Sequence, residues 1–260
     1  MGAEKRLCII CAWRQNCQKR FSVSYEGPLT IHCSDFTRDF TIKDSEIEAK
    51  AVEAQLEKWR KEKGRPRPCI TISREPGACG SEIARKLSVD LKMDLIGTHI
   101  ITKVAQSANS SEKVVKTLDE KHVTTMDTWI TSLFTARHLW PDVYLQHLIK
   151  VIATIGEHGN AIIVGRGAQY ILPPERMFRV RFIAPREKRI ENLMKSRGCT
   201  RDEAESFIQK TENDRQAFIM KYFHEDIANP ADYDLIVNTA DLGVDQAAEI
   251  VKNAYLARIG

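Results

Sequence analysis

Two turns in this 260-residue chain combine glycine with arginine, a combination suited to binding phosphate. The first turn follows the apolar run 69–73 and precedes a helical pattern at 81–91. Its glycines let backbone N–H groups approach an anion, and the helix N-terminus adds unpaired donors and the positive end of its dipole. The sequence therefore predicts a phosphate-binding loop built from Arg74, Gly77, Ala78, Cys79, Gly80 and Ser81.

This first turn departs from the full phosphate-loop pattern, GxxxxGK[ST]. Aligned on Ser81, whose hydroxyl could hold a phosphate or a magnesium ion, the chain has Arg74 at the first glycine and Cys79 at the second. Gly80 stands in place of the lysine that reaches the outer phosphates. Nearby cations that could replace it are Arg74, Arg85 and Lys86. Taken alone, the segment also fits an ordinary glycine turn between a strand and a helix.

The second turn places Arg166 between Gly165 and Gly167, directly after the apolar run that begins at residue 160. A guanidinium can donate two parallel hydrogen bonds to a phosphate or to the edge of a base. Ligands of open α/β sheets bind at the carboxyl ends of the strands, where this turn would lie. The alternative is a surface arginine in a flexible turn.

A third group of reactive side chains lies near the start of the chain. It has the spacing C-x2-C-x5-C-x15-C and consists of Cys8, Cys11, Cys17 and Cys33. Four thiolates can complete a tetrahedral zinc site or hold an iron–sulfur cluster, and the spacing does not choose between them. Buried or spare thiols are the alternative. Basic and aromatic residues interleave in the same segment, where a solvated face is favoured over nucleic-acid binding.

The elements that would position these groups fall into three parts. Residues 1–44 form the cysteine-rich segment, and residues 45–68 form a linker helix followed by a proline-rich linker. Residues 69–260 alternate strand and helix, with strands predicted at 69–73, 160–165, 176–184 and 233–239. The pattern predicts an α/β protein in three layers, α/β/α, around a parallel sheet with right-handed crossovers. Residues 99–158, 186–224 and 243–257 are predicted to be mainly helical.

The overall composition limits the classes of function. A net charge of +4 suits a phosphate ligand but is too small to indicate nucleic acid. No stretch approaches the roughly 18 apolar residues of a membrane span, and the first residues do not form a secretory signal. We therefore expect a cytoplasmic protein with a small phosphorylated ligand.

Five segments, in order, resemble cytidylate kinase-like proteins, which are nucleoside-monophosphate kinases with a phosphate-loop fold. The segments read ISREPGACGSEIA, HGNAIIVGRGAQYIL, FRVRFIAPREKRI, TENDRQAFIMKYF and YDLIVNTADLGVDQA. They extend over roughly residues 69–252. The resemblance implies ATP and Mg²⁺ as cofactors and phosphoryl transfer to a nucleoside monophosphate, with CMP or dCMP first.

The resemblance also implies roles for particular arginines. Arg166 would bind the monophosphate acceptor, and a lid at residues 197–223 would bring arginine to the transferring phosphoryl group. Arg215 is the best match for that lid arginine, and the further candidates are Arg189, Arg197 and Arg201.

Two further departures bear on activity rather than on fold. Val164 stands where cytidylate kinases carry an acid, and residues 95–97 read LIG where related proteins often have YYD. Nearby acids that could substitute are Asp94, Asp119 and Glu120. With the lysine also missing, a non-catalytic regulator that responds to nucleotide, metal or redox state is the alternative function.

Overall fold

The computed structural model describes Glu53, Glu57, Trp59 and residues 66–260, except 107, 119 and 138–141. The chain divides into two units, Met1–Lys63 and Gly64–Gly260. In the first unit, the three described residues are helical, as the predicted linker helix requires. The four amino-terminal cysteines lie outside the described residues, so the predicted metal site and the three domain limits stay predictions.

The second unit contains a five-stranded sheet in which all pairings are parallel, in the order β2-β3-β1-β4-β5. Its strands are β1 (Cys69–Arg74), β2 (Asp94–Ile96), β3 (Ala161–Val164), β4 (Met177–Ile183) and β5 (Leu235–Asn238). Parallel neighbours need long crossovers, which the helices between the strands supply. The predicted parallel α/β/α architecture is confirmed.

Nine α-helices are described in this unit. They are α1 (Gly80–Asp90), α2 (Thr98–Ala105), α3 (Ala108–Val115), α4 (Glu120–Arg137), α5 (Val143–His158), α6 (Ala168–Ile171), α7 (Arg186–Arg197), α8 (Arg201–Phe223) and α9 (Val244–Ile259). No described helix is both long enough and apolar enough to cross a membrane.

The core forms where the central strands meet α1 and α9. Strand β1 lies between β3 and β4, and its apolar side chains Ile70 and Ile72 are buried together with Leu87 of α1 and Tyr255 of α9. Each fully buried aliphatic side chain stabilises the fold by roughly 1.5–3 kcal/mol. The Tyr255 hydroxyl donates to the carbonyl of Pro68, which fixes the start of β1 against α9.

Two predicted segments differ from the structure in detail. The helical region 186–224 is two helices, because Gly198 adopts a left-handed conformation and Thr200 begins α8 with a capping box. Strand β2 was not predicted: it has only three residues and begins with a charged one, Asp94.

The parallel arrangement places three loops at the same edge of the sheet. The loop after β1 leads into α1, the loop after β3 carries Arg166, and the loop after β4 leads into α7. Because strands of a parallel sheet end at the same edge, side chains from these loops converge there.

Candidate functional site

Residues 74–81, which we call the glycine loop, join β1 to α1. Gly77 and Cys79 both have left-handed backbone conformations, with φ of 83° and 54°. Cys79 is the N-cap of α1, and its side chain makes no capping hydrogen bond. The first N–H groups of α1 therefore have no side-chain cap, which is the arrangement that favours an anion at a helix N-terminus.

Close packing explains the two glycines of this loop. A Cβ on Gly77 would lie 2.9 Å from the Cα of Arg189 and closer still to its carbonyl oxygen. A Cβ on Gly80 would lie 2.7 Å from the Cβ of Arg74 and 3.1 Å from the Phe182 ring. The position that usually carries the phosphate-loop lysine is therefore sterically closed by Arg74 and Phe182.

Asn192 of α7 fixes the glycine loop from the other side. Its Nδ2 donates to the carbonyl of Gly77 at 2.8 Å and to the Sγ of Cys79 at 3.5 Å. Burial raises the pKa of the Cys79 thiol, and the neighbouring Glu82 carboxylate adds to that effect. The thiol is thus held in its neutral form and is not an activated nucleophile.

The turn after β3 is strained. Gly165, Arg166 and Gly167 have φ of 79°, 58° and 69°, all in the left-handed region. For arginine this conformation costs about 1–2 kcal/mol. A Cβ on Gly167 would overlap the Phe223 ring, so α8 packs directly on the turn. Backbone strain of this kind is typical of functional sites.

A cavity of about 250 Å³ opens between the glycine loop, this turn and α8. Its cationic lining comes from three elements: Arg74 at the end of β1, Arg166 in the turn, and Arg215 on α8. We call it the arginine cavity. Its other walls are formed by Ser73, Thr98, Gly165, Gly167, Gln169, Thr211, Asp214, Phe218, Ile219 and Ile227.

Each of the three arginines is held by the protein, and among the described residues that line the cavity they outnumber the carboxylates. The Nε of Arg166 donates to the hydroxyl of Thr102 at 2.9 Å, and its guanidinium lies over the Phe218 ring. Arg215 donates to the backbone carbonyl of Arg74 at 2.6 Å. Asp214 is the carboxylate in the cavity lining, and it is exposed.

Arg74 has the most unfavourable environment of the three. Its Nε is buried and has no hydrogen-bond partner among the described residues. Burial lowers its pKa to about 9, and the charges of Arg215 and Arg166 add to the effect. Burial also lowers the pKa of Arg215. Both side chains stay cationic at neutral pH, so an anion in the cavity would relieve the repulsion between them.

Arg189, in contrast, is already neutralised. It is buried, and its Nε donates to the carbonyl of Ala184 at 2.9 Å and lies 3.4 Å from Glu75. Its Nη1 pairs with Glu212 of α8. The Glu75 carboxylate also accepts from the backbone N–H of Ala184 at 3.0 Å. Two carboxylates thus surround this predicted site arginine and tie α8 to the glycine loop.

The remaining cations named from the sequence lie away from the cavity lining. Lys86 pairs with Asp90 at 2.8 Å, and Arg85 is exposed on α1. Arg197 is exposed and lies over the Phe207 ring, and Arg201 pairs with Glu187 and Glu205 on the surface. The sequence offered three cations in place of the missing lysine: Arg74, Arg85 and Lys86. Of these three, Arg74 lines the arginine cavity and the other two do not.

Of the acids named from the sequence, Asp94 has a described side chain, and it does not line the arginine cavity. Asp94 is the first residue of β2, at the amino end of the strand and opposite the edge that carries the loops. The side chains of Asp119 and Glu120 lie outside the described residues. Within the described part of the chain, no group of three or more His, Cys, Asp or Glu side chains is placed to hold a metal ion.

Several side chains of the site were not predicted from the sequence. Thr98 and Thr102 contact the arginines of the cavity, and Glu75 contacts Arg189. Arg181 of β4 is buried and donates to the hydroxyl of Ser73 at 3.0 Å. The one available signal was the position of Glu75 directly after β1, at the ligand-binding edge of the sheet.

Comparison with known proteins finds a relative in sequence and a relative in fold. The chain is 23% identical over 188 residues to a cytidylate kinase of Ignicoccus hospitalis, a match that covers 72% of this chain and 98% of that protein. A crystal structure of an uncharacterized protein from Eubacterium ventriosum has a similar fold, with a TM-score of 0.56 and 17% sequence identity. That match covers 74% of this chain and 100% of the other.

The family comparison covers the whole sheet and both arginine-bearing turns. Residues 69–241 match the model of the cytidylate kinase-like family. Those residues run from the start of β1 to just beyond β5, so they include every strand described above. The chain therefore belongs to the cytidylate kinase-like family.

Proposed function

We propose that this protein transfers the γ-phosphoryl group of ATP to a nucleoside monophosphate, with CMP or dCMP as the first candidates. Family and fold support nucleotide kinase activity in general. The observation that carries the proposal is the convergence of Arg74, Arg166 and Arg215 on one cavity at the edge of the sheet. Three guanidiniums with one exposed carboxylate among them suit a dianion such as the phosphate of a monophosphate.

In this proposal, the arginine cavity holds the acceptor. Arg166 presents its Nη atoms to the acceptor phosphate, because its Nε is already bonded to Thr102. Arg74 adds a second charge from the end of β1. An oxygen of the acceptor phosphate then attacks the γ-phosphorus, the bond to the ADP oxygen breaks, and Arg215 neutralises the charge that spreads over the transferring group.

The glycine loop would hold the donor. The backbone N–H groups of residues 77–81 would surround the ATP phosphates at the uncapped N-terminus of α1. The Ser81 hydroxyl, exposed at the start of α1, fits one ligand position of Mg²⁺, which keeps several waters and substrate oxygens around it. When bound, Mg²⁺ would supply charge neutralisation on the donor phosphates. Arg189 would bind the donor phosphates only after its ion pair with Glu212 breaks.

The proposal is tested by a coupled assay for ADP release with ATP, Mg²⁺ and each ribo- and deoxyribonucleoside monophosphate. CMP or dCMP should give the highest kcat/KM. Arg166→Ala should lower kcat/KM for the acceptor by about 10²–10³ while the protein stays folded. Turnover of another monophosphate above CMP would correct the acceptor, and no turnover with any of them would refute kinase activity.

A second candidate function is nucleotide binding without turnover. The observation that favours it is the closed lysine position: Gly80 cannot accept a side chain, and Lys86 is paired with Asp90. Calorimetry on the wild-type protein separates the two functions, since a regulator would bind ATP and CMP but release no ADP. Metal or redox sensitivity of that binding would then involve the amino-terminal cysteines, which remain a predicted zinc or iron–sulfur site.

A further inference from the structure

Two threonines on α2 contact two of the arginines that line the cavity. Thr98 and Thr102 are four residues apart, so they lie one above the other on the same face of the helix. Thr98 accepts a hydrogen bond from Nη2 of Arg74 at 3.4 Å, and Thr102 accepts one from Nε of Arg166 at 2.9 Å. One helical face therefore contacts guanidiniums from two places, the end of β1 and the turn after β3.

Each threonine hydroxyl already donates its proton to a backbone carbonyl. Each hydroxyl must therefore be the acceptor in its bond with arginine. Thr98 donates to the carbonyl of Val164 at 2.7 Å, at the end of β3. Thr102 donates to the carbonyl of Thr98 at 2.8 Å. Because a hydroxyl has a single proton, its remaining lone pairs can only accept, and arginine can only donate. The threonines are thus preset to hold guanidiniums.

The packing at Gly165 independently shows how tightly this arrangement is built. A Cβ at this position would lie 2.7 Å from Nη1 of Arg74 and 3.0 Å from the hydroxyl oxygen of Thr98. The space beside the turn is therefore filled by the bonded pair. Arg166 is fixed in a similar way, with Thr102 at its Nε edge and the Phe218 ring under its face. Its Nη edge is what remains to meet a ligand.

We propose that Thr98 and Thr102 are positioning residues of the arginine cavity. They orient Arg74 and Arg166 so that both guanidiniums meet one phosphate of the acceptor. The inference rests on the proposed kinase function. It adds two residues that affect acceptor binding indirectly, by orienting the arginines. A guanidinium that can rotate loses its paired hydrogen bonds to phosphate, and small misplacements of binding groups have large effects on rate.

The test compares valine and serine at each position. Thr→Val keeps the branched shape and removes the acceptor, whereas Thr→Ser keeps the hydroxyl. We expect Thr102→Val to raise the KM for CMP about tenfold while the KM for ATP stays within about twofold. Thr98→Val should have a smaller effect, about threefold, because its contact with Arg74 is longer. Both serine variants should return to within about twofold of wild type.

Thr131→Val is the matched control, because Thr131 is exposed on α4 and its hydroxyl donates only to Asp127 within its own helix. It should leave both KM values unchanged. In an Arg166→Ala background, Thr102→Val should have no further effect on the KM for CMP, since it acts through that arginine. Equal effects of Thr102→Val with and without Arg166 would overturn the inference.

A second readout separates this inference from the proposed function. The Nε–H signal of Arg166 in ¹⁵N NMR, identified by its loss in Arg166→Lys, should exchange at least about tenfold faster in Thr102→Val and be restored in Thr102→Ser. If wild-type protein phosphorylates no monophosphate, the proposed function fails, but this signal still reports whether Thr102 holds Arg166. An unchanged signal together with an unchanged KM for CMP would overturn the inference.

Discussion

The glycine loop and the arginine cavity adjoin one another, yet they differ sharply in how they present positive charge. The loop offers backbone N–H groups, and its expected lysine position is closed by packing at Gly80. The nearby Arg189 is neutralised by Glu75 and Glu212. The cavity instead carries Arg74, Arg166 and Arg215 with little opposing charge.

The position of Arg74 is related to both features. In a phosphate loop with lysine, the cation extends from the loop itself toward the donor. Here Arg74 occupies the space beside Gly80, and its guanidinium reaches Thr98 and the arginine cavity. The fixed positive charge of Arg74 therefore lies on the side that we propose binds the acceptor.

The largest expected effect comes from a substitution in the arginine cavity. Arg166→Ala should lower kcat/KM for CMP by about 10²–10³, since one charge-assisted bidentate contact is lost from a strained turn. The KM for ATP should change by less than about threefold. Arg166→Lys keeps the charge without the planar fork and should recover only part of the loss.

Arg176→Ala provides the control for that substitution. Arg176 pairs with Glu157 at the amino end of β4, away from the cavity lining. Steady-state kinetics with CMP and ATP varied separately should show no change beyond about twofold. An equal rise in the KM for CMP and the KM for ATP in Arg166→Ala would contradict the proposal that the arginine cavity binds the acceptor and the glycine loop binds the donor.

The next largest effect concerns Gly80, which stands at the lysine position of the phosphate-loop pattern. Gly80→Ala should lower the free energy of unfolding by about 2–3 kcal/mol, because the new Cβ would overlap the Cβ of Arg74. Arg74→Gly removes that obstruction, whereas Arg74→Ala retains it. The cost of Gly80→Ala, measured by urea denaturation, should therefore shrink in the Arg74→Gly background and persist in the Arg74→Ala background. Equal costs in both would show that Phe182 alone closes the position.

Much of the fold followed from the sequence because buried parallel strands form continuous apolar runs. The runs at β1 and β3 were predictable for that reason, and β4 was predictable from the partial alternation of its apolar residues. Turns that combine glycine with arginine marked the loops after β1 and β3. Strand β2 escaped prediction because three residues beginning with Asp94 carry too little pattern.

The site was less predictable, because its organisation depends on contacts between distant segments. Arg74 and Arg166 belong to turns with a recognisable pattern, but nothing local indicates that Thr98 and Thr102 hold them. Arg189 illustrates the converse case. The resemblance implied a role at the transferring phosphate, and the structure places it between two carboxylates that lie 137 positions apart in sequence, Glu75 and Glu212.

A third prediction concerns the proposed donor side, where Arg189 is paired with Glu212. Glu212→Gln removes one of its two charge partners, so Arg189 becomes available to the donor phosphates. We expect the KM for ATP to fall about threefold and the free energy of unfolding to fall by about 1–2 kcal/mol, because an ion pair between the buried Arg189 and the partly exposed Glu212 is weakened. Glu187→Gln is the control, since the pair between Glu187 and Arg201 is exposed and should leave the free energy of unfolding nearly unchanged. A higher KM for ATP in Glu212→Gln would mean that the pair supports donor binding.

The smallest expected effect concerns the cost of keeping Arg74 in the cavity. Its buried Nε has no hydrogen-bond partner in the described part of the chain, and the charges of Arg215 and Arg166 oppose its own. Arg74→Met keeps a long apolar stem and removes the charge, so we expect a Tm about 2–4 °C higher, together with a higher KM for CMP. Saturating CMP should raise the Tm of the wild type more than that of the variant, because the bound phosphate offsets a repulsion that only the wild type has. A lower Tm for Arg74→Met would show that the hydrogen bond to Thr98 and the packing beside Gly80 outweigh the buried charge, and that Arg74 is retained for stability rather than for binding.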